Sequence, residues 1–347
     1  YIKRRFAECG WEIESQEFEA IDWKPGRHQL AAGGTSIDAQ INPYAPGCSL
    51  KAPAVLYRSA DELEAAPPLH ERIAVLDGGR VVATGTHEEH MRLNRLLEEK
   101  APAAVIAVAQ SGPDGIGGGK PNGTEDAVPD GPPIFADGDM KIPSLTVPFR
   151  ERKKLLEGLH DEVEVMIEGT TEVSTAENVI ARLNPGARSK LVVVAHFDTW
   201  FDTPGAMDNA VGAAVLLGLS TVFSGEAGEA VKRIDSELEV ELFANNGEDY
   251  YNSGGSLLYL DRSMDTGRTV LAINIDGIGY RGRNTGLSSY GDLKVPGQGP
   301  DQGPGLLELV REARRPYPRI VDMDPWPEGD HSIFVMQGIP ALALTSL

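Results

Sequence analysis

Several apolar runs in the second half of the chain end in a histidine or a carboxylate. Leu191–Ala195 runs into His196, with Asp198 two residues on. The run ending at Ala244 leads into Asn245-Asn-Gly-Glu248-Asp249, and the run ending at Ile275 is followed by Asp276. Gly205-Ala-Met-Asp208-Asn209 lies between the first of these runs and a helical segment, and Asp330-His331 precedes the last run. A strand covered on both faces reads as a continuous apolar run, and open α/β sheets bind ligands beyond the carboxyl ends of their strands. One such residue at a strand end is an ordinary cap or core group; five together are not a chance pattern. Two histidines and three carboxylates make a nitrogen–oxygen donor set for a divalent transition metal, of which zinc fits best. One carboxylate can bridge two ions about 4 Å apart, which then clamp an attacking hydroxide and a carbonyl oxygen. Glu248, beside Asp249, supplies a carboxylate next to a ligand that is free to act as general base.

The elements that position these residues are legible in the pattern. Leu191–Ala195, Glu237–Ala244, Thr269–Ile275 and Pro340–Thr345 read as strands, with helices at Asn209–Phe223 and Leu306–Arg315 between them. This alternation predicts a mostly parallel central sheet flanked by helices. Upstream, Trp11–Phe18 reads as a strand and Ala31-Ala-Gly-Gly34 as a turn. Ile73–Asp77, Ala103–Ala109, Ile142–Val147 and Val163–Ile167 read as strands around a helix at His87–Lys100. Ser111–Pro133, rich in Gly, Pro and Asp, reads as a loop. No internal repeat of 20–50 residues is present.

His196-Phe-Asp198-Thr, Gly205-Ala-Met-Asp208-Asn209-Ala-Val-Gly212, Gly247-Glu248-Asp249, Asn274-Ile-Asp276 and Gly329-Asp330-His331 resemble, in order, the motifs of the co-catalytic zinc aminopeptidases. That family also includes aminopeptidase Y and the glutamate carboxypeptidases. The resemblance implies two zinc ions per chain: His196 and Asp276 on one, Asp249 and His331 on the other, and Asp208 bridging. It implies Glu248 and Asp198 as the catalytic residues. Glu248 would take a proton from the metal-bridging water and pass it to the leaving amine, and Asp198 would orient His196. It also implies an unusual peptide link between Asp208 and Asn209. Asp249 stands where the family usually has Glu, so the second metal is expected to be held differently or less tightly. The resemblance further implies that the family's closing helix lies beyond Leu347.

Glu71–Asp77, Ala101–Ile106 and Lys141–Val147 resemble a protease-associated domain. The expected organisation is therefore a discontinuous zinc exopeptidase-like α/β domain, 1–45 and 170–347, with a smaller β-rich α/β insert at 46–169. That insert would cover the site or select substrate.

Composition removes other classes. The 347 residues carry 32 Lys+Arg against 52 Asp+Glu, a net charge of −20. Nucleic acid and anionic membrane are therefore not expected partners, and no apolar run was expected to approach the ~20 residues that span a bilayer. The apolar fraction of 41% is ample for a core, so disorder is not expected. Two cysteines, Cys9 and Cys48, admit one disulfide or two free thiols. The expected partners are peptides, and a secreted or cell-envelope location is favoured over the cytoplasm.

Several motifs are decoys. His87-Glu-Glu-His90 has its histidines three apart, not the four a zinc-protease helix requires. Gly115–Lys120 lacks the first glycine of a phosphate loop, and Pro121 follows it. Asn122-Gly-Thr124 has the form of a glycosylation acceptor. Arg281 and Arg283, just past Asp276, read as surface charges or as contacts for a substrate carboxylate. Tyr250, Tyr251 and Tyr280 read as packing residues or oxyanion donors. An aminopeptidase is expected, because carboxylates beside the metals suit a free α-ammonium. The alternatives are a carboxypeptidase of the same family, a single-zinc transferase resembling glutaminyl cyclase, and a non-catalytic receptor-like relative.

Overall fold

The structure is a computed structural model that describes residues 1–77, 87–109, 141–199, 203–225, 237–249, 254–291, 306–326 and 329–347. Two compact units emerge: Tyr1–Ala20 with Ser174–Leu347, and Ile21–Val173. The loop expected at Ser111–Pro133, with Lys120 and Asn122 in it, lies outside the described residues, as do Tyr250 and Tyr251.

The first unit is built on a mixed, mostly parallel sheet. Ser189–His196 is central, with Leu238–Asn245 parallel on one side and Thr269–Ile275 parallel on the other. Ala341–Ser346 continues the parallel set beyond Thr269–Ile275. Antiparallel strands close both flanks: Val179–Leu183 against Leu238–Asn245, and Thr285–Tyr290 against Ala341–Ser346. The central strands carry runs of Val, Ile, Leu and Ala because both faces are covered. Val192, Val194, Phe243 and Ala272 pack with Tyr259 and Phe334 on one side. Val193, Ala195, Leu242 and Ile275 pack with Phe6 and Leu216 on the other.

Leu216 belongs to the helix Val211–Ser224, whose Gly212, Leu216 and Ser220 are buried. Contrary to the sequence expectation, the 19 residues Ala206–Ser224 are long and apolar enough, by length and composition, to cross a membrane. Here the helix lies against the sheet core, which accounts for the composition of its inner face.

Near the start of the central strand a charged network is sealed in. Lys190 and Glu239 are register partners, 3% and 1% exposed. Lys190 Nζ reaches Glu239 at 3.4 Å and Glu241 at 3.0 Å, and Arg182 Nε donates to Glu241 at 2.6 Å. The Tyr259 hydroxyl donates to Glu241 Oε1 at 2.5 Å while its ring stacks on Phe243 at 4.1 Å. Six residues separate Lys190 from His196, roughly 20 Å of extended chain, so the network is structural. Tyr259→Phe is expected to destabilise the fold by about 1–3 kcal/mol, the cost of a buried acceptor losing a donor. The check is the urea unfolding midpoint, with zinc content expected to stay unchanged. An unaltered midpoint would mean that the hydroxyl contributes nothing.

The second unit has its own sheet. Cys48–Tyr57, Ile73–Leu76, Ala104–Val108 and Ser144–Val147 run parallel, with Gln40–Ile41 antiparallel at one edge and Val163–Ile167 at the other. The helix His87–Lys100 packs Leu93, Leu96 and Leu97 against Leu76 and Val105. The unit takes in Gln40–Ile41, which lies before residue 46, because that strand pairs with Thr146 and Leu145. Cys9 and Cys48 are both free thiols.

Candidate functional site

The parallel register brings the strand ends to one level. Asn245 lies opposite His196, and Asn274 lies opposite Val194, so Asp276 comes level with His196 across the sheet edge. His196 is 1% exposed and ringed by carboxylates. Its Nε2 lies 3.1 Å from Asp208 Oδ1, 3.3 Å from Asp276 Oδ1 and 4.0 Å from Glu248 Oε2. One donor atom each from His196, Asp208 and Asp249 falls within 4.8 Å of the others. These four expected ligands thus assemble around His196, with Glu248 beside them.

Asp198 stands against both His196 and the turn that carries Glu248. His196 Nδ1 is 3.2 Å from the backbone oxygen of Asp198, and the carboxylate lies farther away at 3.7 Å. The carboxylate instead accepts the backbone N–H of Glu248 at 3.2 Å and of Asp249 at 2.9 Å. It therefore fixes the turn that carries the base and a ligand.

The Asp208–Asn209 segment shows why those residue types stand there. The peptide bond between them is cis. Asn209 is buried; its Nδ2 donates to the Ile275 carbonyl at 2.8 Å, and its Oδ1 accepts the Gly212 N–H at 3.0 Å. Asn209 thus ties the start of the helix Val211–Ser224 to the strand end that precedes Asp276. A Cβ on residue 212 would lie 2.4 Å from Asn209 Oδ1 and 2.5 Å from the Ile275 oxygen, so glycine is required. Thr199 Oγ1 donates to the Asp208 carbonyl at 3.0 Å, which steadies the segment from the turn just past the strand Ser189–His196.

His331 is not one of the three donors of that group. Its Nε2 donates to the Trp326 carbonyl at 3.0 Å, and its Nδ1 accepts from Asn274 Nδ2 at 3.2 Å. Its ring lies 4.5 Å from Tyr290 and 4.7 Å from Trp326, and burial lowers its pKa. Asp330, for which the sequence suggested no role, is 2% exposed and accepts from Asn245 Nδ2 at 2.5 Å. The buried amides of Asn245 and Asn274 were also unread, because an asparagine at a strand end looks the same in sequence whether solvated or sealed. Tyr280, Arg281 and Arg283 are exposed on the turn after Asp276.

The electrostatics favour a cation. Burial, then the nearby Asp330, push the Glu248 carboxyl up to about 9. Burial, then Asp208, push Asp249 up to about 7. Burial pulls the His196 pKa down, but Asp198, Asp208 and Asp276 outweigh it and hold the ring protonated well above its ordinary range. Asp249 Oδ2 is buried without a hydrogen-bond partner. Like charges sealed together with an orphaned oxygen call for positive charge, and the nitrogen–oxygen donor set fits zinc.

A pH dependence follows for the metal-free chain. Glu248 titrates near 9 folded against an ordinary 4.5, and His196 is likewise raised. Folded chain then binds more protons than unfolded chain between pH 7 and 9, so stability falls as pH rises through that window. Zinc, by replacing those protons, is expected to flatten the slope. Melting curves of chelated protein at pH 7 and 9, with and without added zinc, check this. Equal melting temperatures at both pH values without metal would contradict it.

Residues 178–346 match the family model described as Peptidase family M28. The curated "Probable lipoprotein aminopeptidase LpqL" of Mycobacterium tuberculosis is 24% identical over 221 residues. That match covers 62% of this chain and 41% of the relative, so the chain spans about two fifths of that protein's length. Among solved structures, the aminopeptidase from Aneurinibacillus sp. strain AM-1 superposes with a TM-score of 0.71 at 20% identity, covering 100% of this chain and 78% of that one. BSAP, a zinc aminopeptidase from Bacillus subtilis, gives a TM-score of 0.71 at 19% identity, covering 99% and 77%. At these identities the structural likeness is one of fold.

Proposed function

We propose that this chain, whose residues 178–346 match the Peptidase family M28 model, is a zinc-dependent aminopeptidase acting on peptides. The observation that carries the reading is the His196–Asp208–Asp249 donor group at the carboxyl edge of the sheet, with Asp276 and Glu248 against the same imidazole. The aminopeptidase names of the relatives point the same way.

His196, Asp208, Asp249 and Asp276 would hold the metal, and Asp208, the most exposed of them, is the proposed bridge between two zinc ions. His331 belongs to the proposed ligand set as well; in the metal-free chain its ring nitrogens meet the Trp326 carbonyl and the Asn274 amide. When bound, zinc supplies a Lewis acid for the scissile carbonyl and makes water acidic enough to lose a proton near neutral pH. Glu248 accepts that proton and returns it to the nitrogen of the leaving amine. Asp198 keeps Glu248 in reach by holding the backbone of the turn. Carboxylates around the site attract the substrate's free α-ammonium.

The test compares a leucyl anilide bearing a free amino group with its N-acetylated form. The free amine is expected to be cleaved and the blocked substrate to resist. Equal cleavage of both would exclude an aminopeptidase.

The second unit is proposed as a protease-associated insert that selects substrate, supported by its parallel apolar strands and by its position within the chain of the first unit. Deletion of 50–165 with substrate preference unchanged would contradict that role. A cell-envelope location is proposed in line with the lipoprotein name of the curated relative.

A further inference from the structure

We propose that Asn178 and Phe18 are positioning residues that hold the turn carrying Glu248 and Asp249. The chain leaves the sheet at Asn245, the last residue of the strand Leu238–Asn245, and the helix Gly254–Arg262 begins nine residues later. The antiparallel neighbour of that strand pairs with it up to Val179, opposite Ala244. Asn178 is the next residue, just past the last paired position, and it is fully buried. Backbone groups of a turn that starts there have lost their strand partners, and a buried N–H or C=O left unpaired costs about as much as a lost hydrogen bond.

The Asn178 side chain replaces those partners. Its Oδ1 accepts the Asn246 N–H at 3.1 Å, and its Nδ2 donates to the Gly255 carbonyl at 2.8 Å. One amide thus ties the outgoing stem of the turn to the returning one. The stems meet so closely that a Cβ on residue 255 would lie 2.1 Å from the Asn246 oxygen and 2.4 Å from Asn178 Oδ1. Asn246 adds a second tie to the same strand, its Nδ2 donating to the Glu177 carbonyl at 3.3 Å. A primary amide offers a donor and an acceptor side by side, as the missing backbone would. Aspartate lacks the donor, and alanine lacks both.

Phe18, on the strand Glu12–Ala32, closes the stems from another side. A Cβ on residue 254 would lie 2.9 Å from Phe18 Cδ2 and Cε2, and one on residue 247 would lie 3.8 Å from Cζ. The ring therefore rests against the glycines on both sides of Glu248 and Asp249. Gln16, two residues earlier and 2% exposed, ties this strand to the end of the helix, its Nε2 donating to Ser263 Oγ at 2.5 Å. The Asp198 carboxylate holds only the Glu248 and Asp249 N–H groups. Two bonds to one carboxylate leave a turn able to pivot about it; the stem contacts remove the pivot. The hold stands on these contacts, and its effect on catalysis rests on the aminopeptidase reading.

The test uses three variants of the full chain. Asn178→Ala removes both amide contacts. Phe18→Ala removes the ring, and because Phe18 is only half-buried it keeps the test open if the first variant does not fold. Asn184→Ala is the control. Asn184 lies six residues along from Asn178, roughly 20 Å of extended chain, where its Nδ2 donates to the Leu238 carbonyl at 3.1 Å. Its φ of 55° disfavours alanine, so this variant should lower the melting temperature.

Amide hydrogen exchange at residues 246–249 of the metal-free proteins is the first readout. It should quicken by about tenfold in Asn178→Ala and Phe18→Ala, as expected when a buried hydrogen bond or its cover is lost, and keep its wild-type rate in the control. Hydrolysis of a free-amine leucyl anilide at saturating zinc is the second. Asn178→Ala should lose about 10–100-fold in kcat, the range for residues that support a metal site, with KM near wild type. Asn184→Ala should keep the wild-type kcat despite its lower melting temperature. Unchanged exchange in both stem variants, or a kcat in Asn178→Ala within a few-fold of an active wild type, would overturn the hold. An equal loss of kcat in the control would show that activity merely follows stability, and would overturn it as well. If wild type neither binds zinc nor cleaves the anilide, the aminopeptidase reading fails and the exchange rates alone decide the hold.

Discussion

Replacing Glu248 with Gln is expected to lower kcat by about 10²–10⁴-fold, the contribution of a positioned general base, with zinc content and KM near wild type. Glu248 is partly buried, and its Oε2 lies 4.0 Å from His196 Nε2. Its backbone N–H is held by Asp198, so the Gln side chain starts from the same place but cannot accept a proton. In the metal-free chain burial and Asp330 raise this carboxyl to about 9. A bound dication opposes both effects and brings the carboxylate toward the range in which it works as a base at neutral pH. Steady-state kinetics on an aminoacyl anilide, paired with metal analysis of the same preparation, reads the effect. A kcat within a few-fold of wild type would remove Glu248 from the mechanism.

The second large effect is expected from His196→Ala. The imidazole has carboxylate oxygens of Asp208, Asp276, Asp198 and Glu248 at 3.1, 3.3, 3.7 and 4.0 Å. Removing it takes away the nitrogen donor and leaves those acids facing one another. Residues that merely support ligands cost 10–100-fold in metal affinity, so loss of the ligand itself is expected to exceed about 100-fold. Activity should fall in proportion at limiting zinc. A ligand that binds only the folded state raises the melting temperature, so added zinc should stabilise the wild type and leave the variant unmoved. A variant that keeps its zinc and its zinc-dependent stabilisation would show that the metal sits elsewhere.

Much of this architecture was legible in the residues. Strands covered on both faces announce themselves as uninterrupted apolar runs, so Thr269–Ile275 and the helix His87–Lys100 have the boundaries their patterns suggest. Reading the residue after each run found His196, Asp249 and Asp276, because a parallel sheet delivers all its carboxyl ends to one edge. The strand Thr285–Tyr290 escaped notice: Thr-Gly-Leu-Ser-Ser-Tyr has little β propensity, and its place comes from pairing with Ala341–Ser346.

The partners of polar groups were less legible. His-x-Asp suggested that Asp198 orients the histidine; what the pattern could not show is that its backbone oxygen faces His196 while its carboxylate holds the next turn. Asp330-His331 reads as a metal motif by residue type. Only tertiary packing shows the imidazole enclosed by Asn274, Trp326 and Tyr290.

The most direct test of a zinc-dependent aminopeptidase is to strip the metal, confirm its absence, and titrate zinc back while following hydrolysis of a free-amine leucyl anilide. Activity is expected to vanish on chelation and return with zinc, with full recovery at two equivalents per chain. Hydrolysis that survives complete removal of metal, or protein that binds no zinc at all, would contradict the account.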